Sequence, residues 1–404
     1  MVSLIKYEMK KHFFKRSILI VLLVFSIINI VKINNVYQEN SFISKSSSTI
    51  WNEVYWRLYD RFGGTMTLEK IEQLLSIYRP LEKQTADLTA SRAMDNPNTY
   101  TGNVYSDYYL LTGYYIEPME YAYMYHSTAN DIVQTAKENM TFYNEISNNY
   151  KYRENKIIAS LFADRCINEF SYTEMYQYYL EYDFSSLLVL LICLYGLVSV
   201  FVSEKESDMD IIIITTVSGG RKTVISKIIA SIIFVFFICL WFWLLDFSAF
   251  SFFFQSFEAA SSPVYALKNF ENSSVNFTLS QYSFLSALVK TAGIMIIGLS
   301  FLLVSSTSRN ALFPFILNLV ITGVAIFYQE IMSGSERILA KIANPFILVT
   351  NSELFKKIEF INFFGIPVIS YAAAILFATI VGIILVLLIL FTTRKNVIAE
   401  QRWG

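Results

Sequence analysis

The sequence predicts an all-α polytopic membrane protein, with six transmembrane helices and a mainly helical extracytoplasmic domain between helices 1 and 2. Three observations predict it. Hydrophobic residues make up 54% of the 404 positions and charged residues only 16%, where soluble domains average about 25% charged. Six apolar runs approach the length needed to cross about 30 Å of hydrocarbon. Basic residues gather beside alternate ends of those runs, as cytoplasmic loops require.

Residues 1–16, MVSLIKYEMKKHFFKR, set Lys6, Lys10, Lys11, Lys15 and Arg16 against Glu8. Ile5, Met9 and Phe13 recur at four-residue spacing, which predicts a basic amphipathic helix lying in the interface plane. His12 reads as a polar residue on the rim of that stripe. Span 1 covers 17–36 around the run Ile18–Val31, and its positive flank holds the N-terminus in the cytoplasm. The sequence after the run, VFSIINIVKINN, is bulky throughout and offers no small-x-small cleavage site, so an uncleaved anchor is expected.

Residues 37–183 form the large polar region, with 20 acidic residues, 12 basic residues and 21 of the 27 tyrosines. Ile71, Leu74, Leu75 and Tyr78 have helical spacing, and Pro80 is expected to end or kink that helix. A continuation over Ala86–Met94 leads to the loop Asp95-Asn96-Pro97-Asn98. Tyr114–Ile146 reads as helix with Pro118 near its start and Asn130-Asp131 as a soft point, and Ile157–Phe170 and Met175–Leu180 read likewise. The tyrosines suit either a core and membrane-facing rim or a ligand-capturing surface. His126 has no metal partner in sequence. Cys166, Cys193 and Cys239 are scattered, with no disulfide framework or zinc spacing.

Five further runs follow: Ser186–Val202, Ile228–Leu245, Phe284–Val304, Leu312–Phe327 and Ile366–Phe391. Span 2 covers 184–203, and spans 3 to 6 with their loops and tail cover 228–404. An even count returns the C-terminus to the cytoplasm, with Arg309, Arg394, Lys395 and Arg402 on the same side. Asn272 and Asn276 fit the glycosylation acceptor pattern in a host that glycosylates. Asn344-Pro345-Phe346-Ile347-Leu348 reads as short helices dipping into the outer leaflet. Asp246, near the outer end of span 3, and Lys290, nearly two turns into span 4, form a candidate pair if the two helices adjoin, with snorkelling by Lys290 as the alternative, since a lone charge at that depth costs several kcal/mol.

Between spans 2 and 3 lies 204–227, a charged segment that cannot enter hydrocarbon. Glu204, Lys205, Glu206, Asp208 and Asp210 come first, then the isoleucines 211–214, a Gly219-Gly220 break, and Arg221, Lys222 and Lys227. The acidic spacing suggests a solvated cytoplasmic element, and the segment is continuous with two spans, so a partner pushing on it moves both. Covalent chemistry is not indicated. There is no GxxxxGK[ST], HExxH, CxxC or GxSxG motif, and Gly219-Gly220-Arg221-Lys222-Thr223 lacks the first glycine of a phosphate loop. No basic patch with aromatic platforms exists, so nucleic acid is excluded as a partner.

The residues Glu204-Lys205-Glu206, Ile213-Ile214-Thr215-Thr216-Val217-Ser218, Arg221-Lys222, Ile225 and Lys227 resemble the signature of membrane (permease) subunits of the type-2 ABC exporter superfamily. Span number, the N-terminal helix, Ser305–Asn310 and Asn344-Pro345-Phe346 extend the likeness over some 250 residues, leaving out 37–183. Ser207–Asp210 replaces a usual glycine, and Val217-Ser218 stands where proline is common. The resemblance implies a permease in the cytoplasmic membrane, with a second permease copy or homologue and two cytoplasmic ABC ATPase subunits. Those subunits would hold ATP and magnesium; this chain would hold no cofactor and catalyse nothing. Glu204, Lys205, Glu206, Asp208, Arg221, Lys222 and Lys227 become ATPase-coupling residues, and the cargo an amphipathic, peptide, lipid or drug-like compound. The rival readings are a membrane-anchored sensor or scaffold with a ligand-binding outer domain and, behind it, a lipid-modifying enzyme. Counting six runs sets aside a four-span mechanotransmitter.

Overall fold

The computed structural model describes residues 1–41, 44, 49–87, 100–209, 213, 220–255, 257–333 and 338–403. Helix α1 (Val2–Glu8) runs on as a π-helical turn, Met9–Phe13, and α2 (Arg16–Asn40) is the first long apolar helix. The region up to residue 183 contributes α3 (Thr49–Phe62), α4 (Leu68–Asp87), α5 (Val104–Leu111), α6 (Glu117–Glu145), α7 (Asn149–Phe162) and α8 (Glu174–Leu180). The remaining long helices are α9 (Phe184–Glu206), α10 (Arg221–Phe254), α11 (Leu279–Thr307), α12 (Leu312–Ser333) and, after the short α13 (Ile338–Ala343) and α14 (Ser352–Lys356), α15 (Ser370–Trp403). Six stretches are long and apolar enough to cross a membrane: α2, α8–α9, α10, α11, α12 and the first 24 residues of α15.

Burial ranks these helices. The apolar window of α9 is 78% buried within the chain, those of α10 and α11 44%, and those of α2, α12 and α15 only 17–22%, so α9 is the central post and α2, α12 and α15 the outer wall. Helix α9 is apolar on every side and buried on most of them, leaving Leu187, Leu191 and Tyr195 exposed along one face. Leu188, Ile192, Leu197 and Phe201 pack with Phe234 and Ile238 of α10 and Phe301 and Leu302 of α11. The predicted N-terminal stripe joins this core directly: Phe13 is buried and stacks on Phe234 at 4.3 Å, with Ile5 and Met9 packed beside it.

In the polar region tyrosine serves as core. Tyr55, Tyr59, Tyr115 and Tyr172 cluster with Phe62 and Phe170, and the buried Tyr115 hydroxyl donates to the Tyr55 carbonyl at 2.6 Å. That hydrogen bond lets a polar tip be buried with its ring. Pro80 lies inside α4 and does not end it, and Pro118 lies just after a π-helical turn, Thr112–Ile116, through which α5 runs on into α6. Helix α6 passes through Asn130-Asp131 without a break, and residues 163–173 hold the two-residue strand β2 (Glu169–Phe170), paired with β1 (Gly64–Thr65). Part of the expected continuation over Ala86–Met94, and its Asp95–Asn98 loop, lie outside the described residues.

Arg165 fastens this region to the segment after α10. Fully buried, it donates to Asn276 Oδ1 and the Ser273 carbonyl, both at 2.8 Å, and stacks on Phe162 and Tyr265. Asn276 Nδ2 in turn donates to the Leu161 carbonyl, so this glycosylation candidate is engaged in packing. The start of α11 shows in sequence as Thr278–Gln281, a reciprocal capping box.

The last long helix begins at Ser370, four residues later than the sequence reading of span 6, because Phe360–Phe363 (β3) and Ile366–Ile369 (β4) form an antiparallel hairpin. Pro345–Leu348 is a 3-10 turn buried against α11. There the backbone of Gly293 is so close that an added Cβ would lie 2.8 Å from Leu348 Cβ, whereas one on Gly323 of α12 would meet nothing within 4 Å. Gly293→Ala is expected to lower the thermal unfolding temperature of the detergent-solubilised chain. Gly323→Ala should leave it unchanged or raise it, since alanine favours helix by roughly 1 kcal/mol.

Candidate functional site

Two groups of charged side chains sit at the ends of the long helices, and both differ from the sequence expectation. The first lies where α9 ends and α10 begins. Glu204 was expected on a solvated acidic element; it is 7% exposed. Its Oε1 accepts from Lys11 Nζ at 2.5 Å and its Oε2 from Lys227 Nζ at 2.6 Å. Lys227 is 2% exposed, donates also to the Val200 carbonyl at 2.8 Å and lies 5.1 Å from the Phe201 ring centre. One carboxylate therefore joins the N-terminal helix to the end of α9 and the second turn of α10.

The geometry follows from local structure. Gly220 precedes α10 at φ +74°, a conformation L side chains rarely adopt, so the predicted glycine break sets the angle at which α10 starts. Lys227 then falls on the inward face of α10 with Thr223 and Ser226, against α9. Neighbouring residues fasten α9 to the turn between α11 and α12. Lys205 Nζ donates to the Ser306 and Ser308 carbonyls at 2.5 and 3.3 Å, and Glu206 Oε1 accepts from the Ala311 N–H at 2.9 Å. Of the remaining predicted coupling residues, Asp208 is exposed at φ +53° and Arg221 and Lys222 are exposed in the first turn of α10. Residues 210–212 and 214–219 lie outside the described residues.

Sequence reasoning missed three members of this cluster. Lys11 was one basic residue among several. Glu8 and His12, four apart on one face, are both buried, and His12 is no rim residue. Nε2 of His12 lies 3.2 Å from Glu8 Oε2, within ion-pair distance but off the line of a hydrogen bond, and neither ring nitrogen has a hydrogen-bond partner. Burial holds the His12 imidazole below its ordinary value of 6.5, and the Lys227 charge acts the same way, against the raising influence of Glu8.

In the second group Asp246 and Lys290 make their direct contacts with other residues and not with each other. Lys290 Nζ donates to Asp183 Oδ1 at 2.6 Å and to the Tyr182 carbonyl at 3.1 Å. Asp246 accepts from Asn29 Nδ2 of α2 at 2.5 Å, and the Tyr182 hydroxyl donates to Asn29 Oδ1 at 2.8 Å. Both residues line one cavity with Ser185, Ser286 and Thr291. Each is satisfied by a group nearer than the other: Asp183, just before α9, and Asn29 of α2.

Comparison with protein-family models, curated proteins and solved structures gives no match.

Breaking a buried ion pair by removing one partner costs roughly 3–5 kcal/mol, because the other charge is left uncompensated. Glu204→Gln and Lys227→Met are each expected to destabilise the chain strongly, and the double variant by less than the sum, as a double-mutant cycle of thermal stability would show. Lys11→Ala, whose side chain is 30% exposed, should cost far less, because water can replace it.

Proposed function

We propose that the chain is the permease subunit of an ATP-driven exporter of the type-2 ABC kind. The observation that carries this reading is the Lys11–Glu204–Lys227 bridge. It binds the N-terminal helix, the end of α9 and the start of α10 into one unit, while Asp208, Arg221 and Lys222 stay exposed on the segment joining those helices. In the proposed mechanism two cytoplasmic ATPase subunits dock on 204–227 and bind ATP with magnesium. Their closure presses the segment, and the bridge passes the movement to α9 and α10 together. Lys205 and Glu206 carry it on to the α11–α12 turn.

The little-buried faces of α2, α12 and α15 suit lipid or a second permease copy, with a path for an amphipathic, peptide, lipid or drug-like cargo between the copies. Both termini would be cytoplasmic and the region 37–183 extracytoplasmic. The sensor or scaffold reading shares this topology but needs no energy from the inner side.

Two measurements test the proposal. In whole cells, with Cys166 replaced by serine, cysteine at Phe364 should react with a membrane-impermeant maleimide, and cysteine at Thr307 only after permeabilisation. An ATPase should co-purify with the wild-type chain and be lost from Arg221→Glu/Lys222→Glu, whose exposed charges leave the bridge intact. A stable chain with no ATPase at any stage would favour the sensor reading.

A further inference from the structure

The bridge occupies both oxygens of Glu204, and beside it the Glu8 carboxylate and the His12 imidazole lie 3.2 Å apart. Glu8 is 3% exposed and His12 1%, and Glu8 Oε2, His12 Nδ1 and His12 Nε2 have no hydrogen-bond partner. A buried polar atom left unpaired costs roughly 1–3 kcal/mol, and such atoms are few in native structures, each calling for a cause. Here three fall within one cluster, and one donor atom from each of Glu8, His12 and Glu204 lies within 4.8 Å of the others.

We propose that Glu8, His12 and Glu204 form a binding site for a divalent transition-metal ion, with zinc as its representative. One imidazole and two carboxylates are a donor set that such ions accept, whereas magnesium and calcium prefer oxygen alone. Zinc takes imidazole nitrogen and carboxylate oxygen at about 2.0–2.2 Å, so the side chains would draw in around the ion. The i, i+4 placement of Glu8 and His12 across the turn from α1 into its π-helical continuation puts both on one face, and π turns in helices are frequent at functional sites. Glu204 supplies the third ligand from a different helix, so an occupied site ties the N-terminal helix to α9.

Lys11 and Lys227 compete with the ion for Glu204. The Lys11 side chain is 30% exposed and can turn to water, whereas the buried Lys227 would keep only the Val200 carbonyl and the Phe201 ring, so displacing it works against the ion. This competition separates a metal site from a trapped water, because removing Lys227 frees a ligand oxygen and removes a positive charge from beside the ion. The inference stands whether or not the chain is an exporter subunit.

The test uses the full-length chain in lipid nanodiscs, without a polyhistidine tag and stripped with chelator. Cobalt(II) serves as the probe through its visible absorption, with zinc as competitor. The expected result is one cobalt per chain, displaced by zinc, with affinity at least roughly tenfold weaker in Glu8→Gln and in His12→Ala and tighter in Lys227→Met. Zinc should also raise the unfolding temperature of the wild type, and not of His12→Ala. Two results overturn the proposal: no saturable cobalt binding by the wild type, or binding by a folded Glu8→Gln or His12→Ala chain equal to it. Weaker binding by a folded Lys227→Met chain also counts against it.

Discussion

A carboxylate buried between two ammonium groups, at the point where a membrane helix turns back, constrains everything around it. Glu204 cannot be left alone in that position, and neither can Lys227. Taking an ion out of water costs several kcal/mol, and only a close opposite charge with further hydrogen bonds offsets it. The two residues lie 23 positions apart on helices of opposite direction, so their meeting fixes how far α10 must rise before it faces α9. Lys11 adds the N-terminal helix to the same joint, and Phe13 seals it with a stack on Phe234. A buried ion pair is a weak source of net stability. It is a strong source of registry, because displaced partners are penalised.

Everything else at that face reads as bracing for the joint. Lys205 and Glu206 reach the α11–α12 turn, so four of the six long apolar helices are connected through three consecutive residues of α9. At the opposite ends of the helices the fastening is by packing and by Arg165, which joins α7, α6 and the segment after α10. The polar cavity holding Asp246 and Lys290 lies among α9, α10 and α11, where each charge has a short-range partner.

Much of the fold was legible because its signals are local. Long apolar runs, the Gly220 break and the Thr278–Gln281 cap each depend on a few adjacent residues, and all six long helices appear where the runs stand. What failed was any judgement that depended on packing. Pro80 was expected to end or kink its helix, and α4 runs through it from Leu68 to Asp87. The Ile366–Ile369 stretch is apolar enough for a span, yet Phe364 and Gly365 at positive φ turn it into a hairpin strand. The charged segment 204–227 was visible between two apolar runs, while the burial of Glu204 was not, since its partners are 193 and 23 residues away. His12 and Asp246 were misjudged for the same reason: one neighbouring helix decides whether a polar residue lies on a rim or in a core.

The central claim is that the bridge makes the N-terminal helix, the end of α9 and the start of α10 behave as one body. Hydrogen–deuterium exchange on the chain in nanodiscs tests it most directly, comparing the wild type with Glu204→Gln. The account predicts faster exchange in the variant at residues 5–14, 200–208 and 221–228 together, with the aromatic cluster around Tyr55 and Tyr115 unchanged. Faster exchange confined to the few residues beside 204, with 5–14 and 221–228 as protected as before, would contradict it.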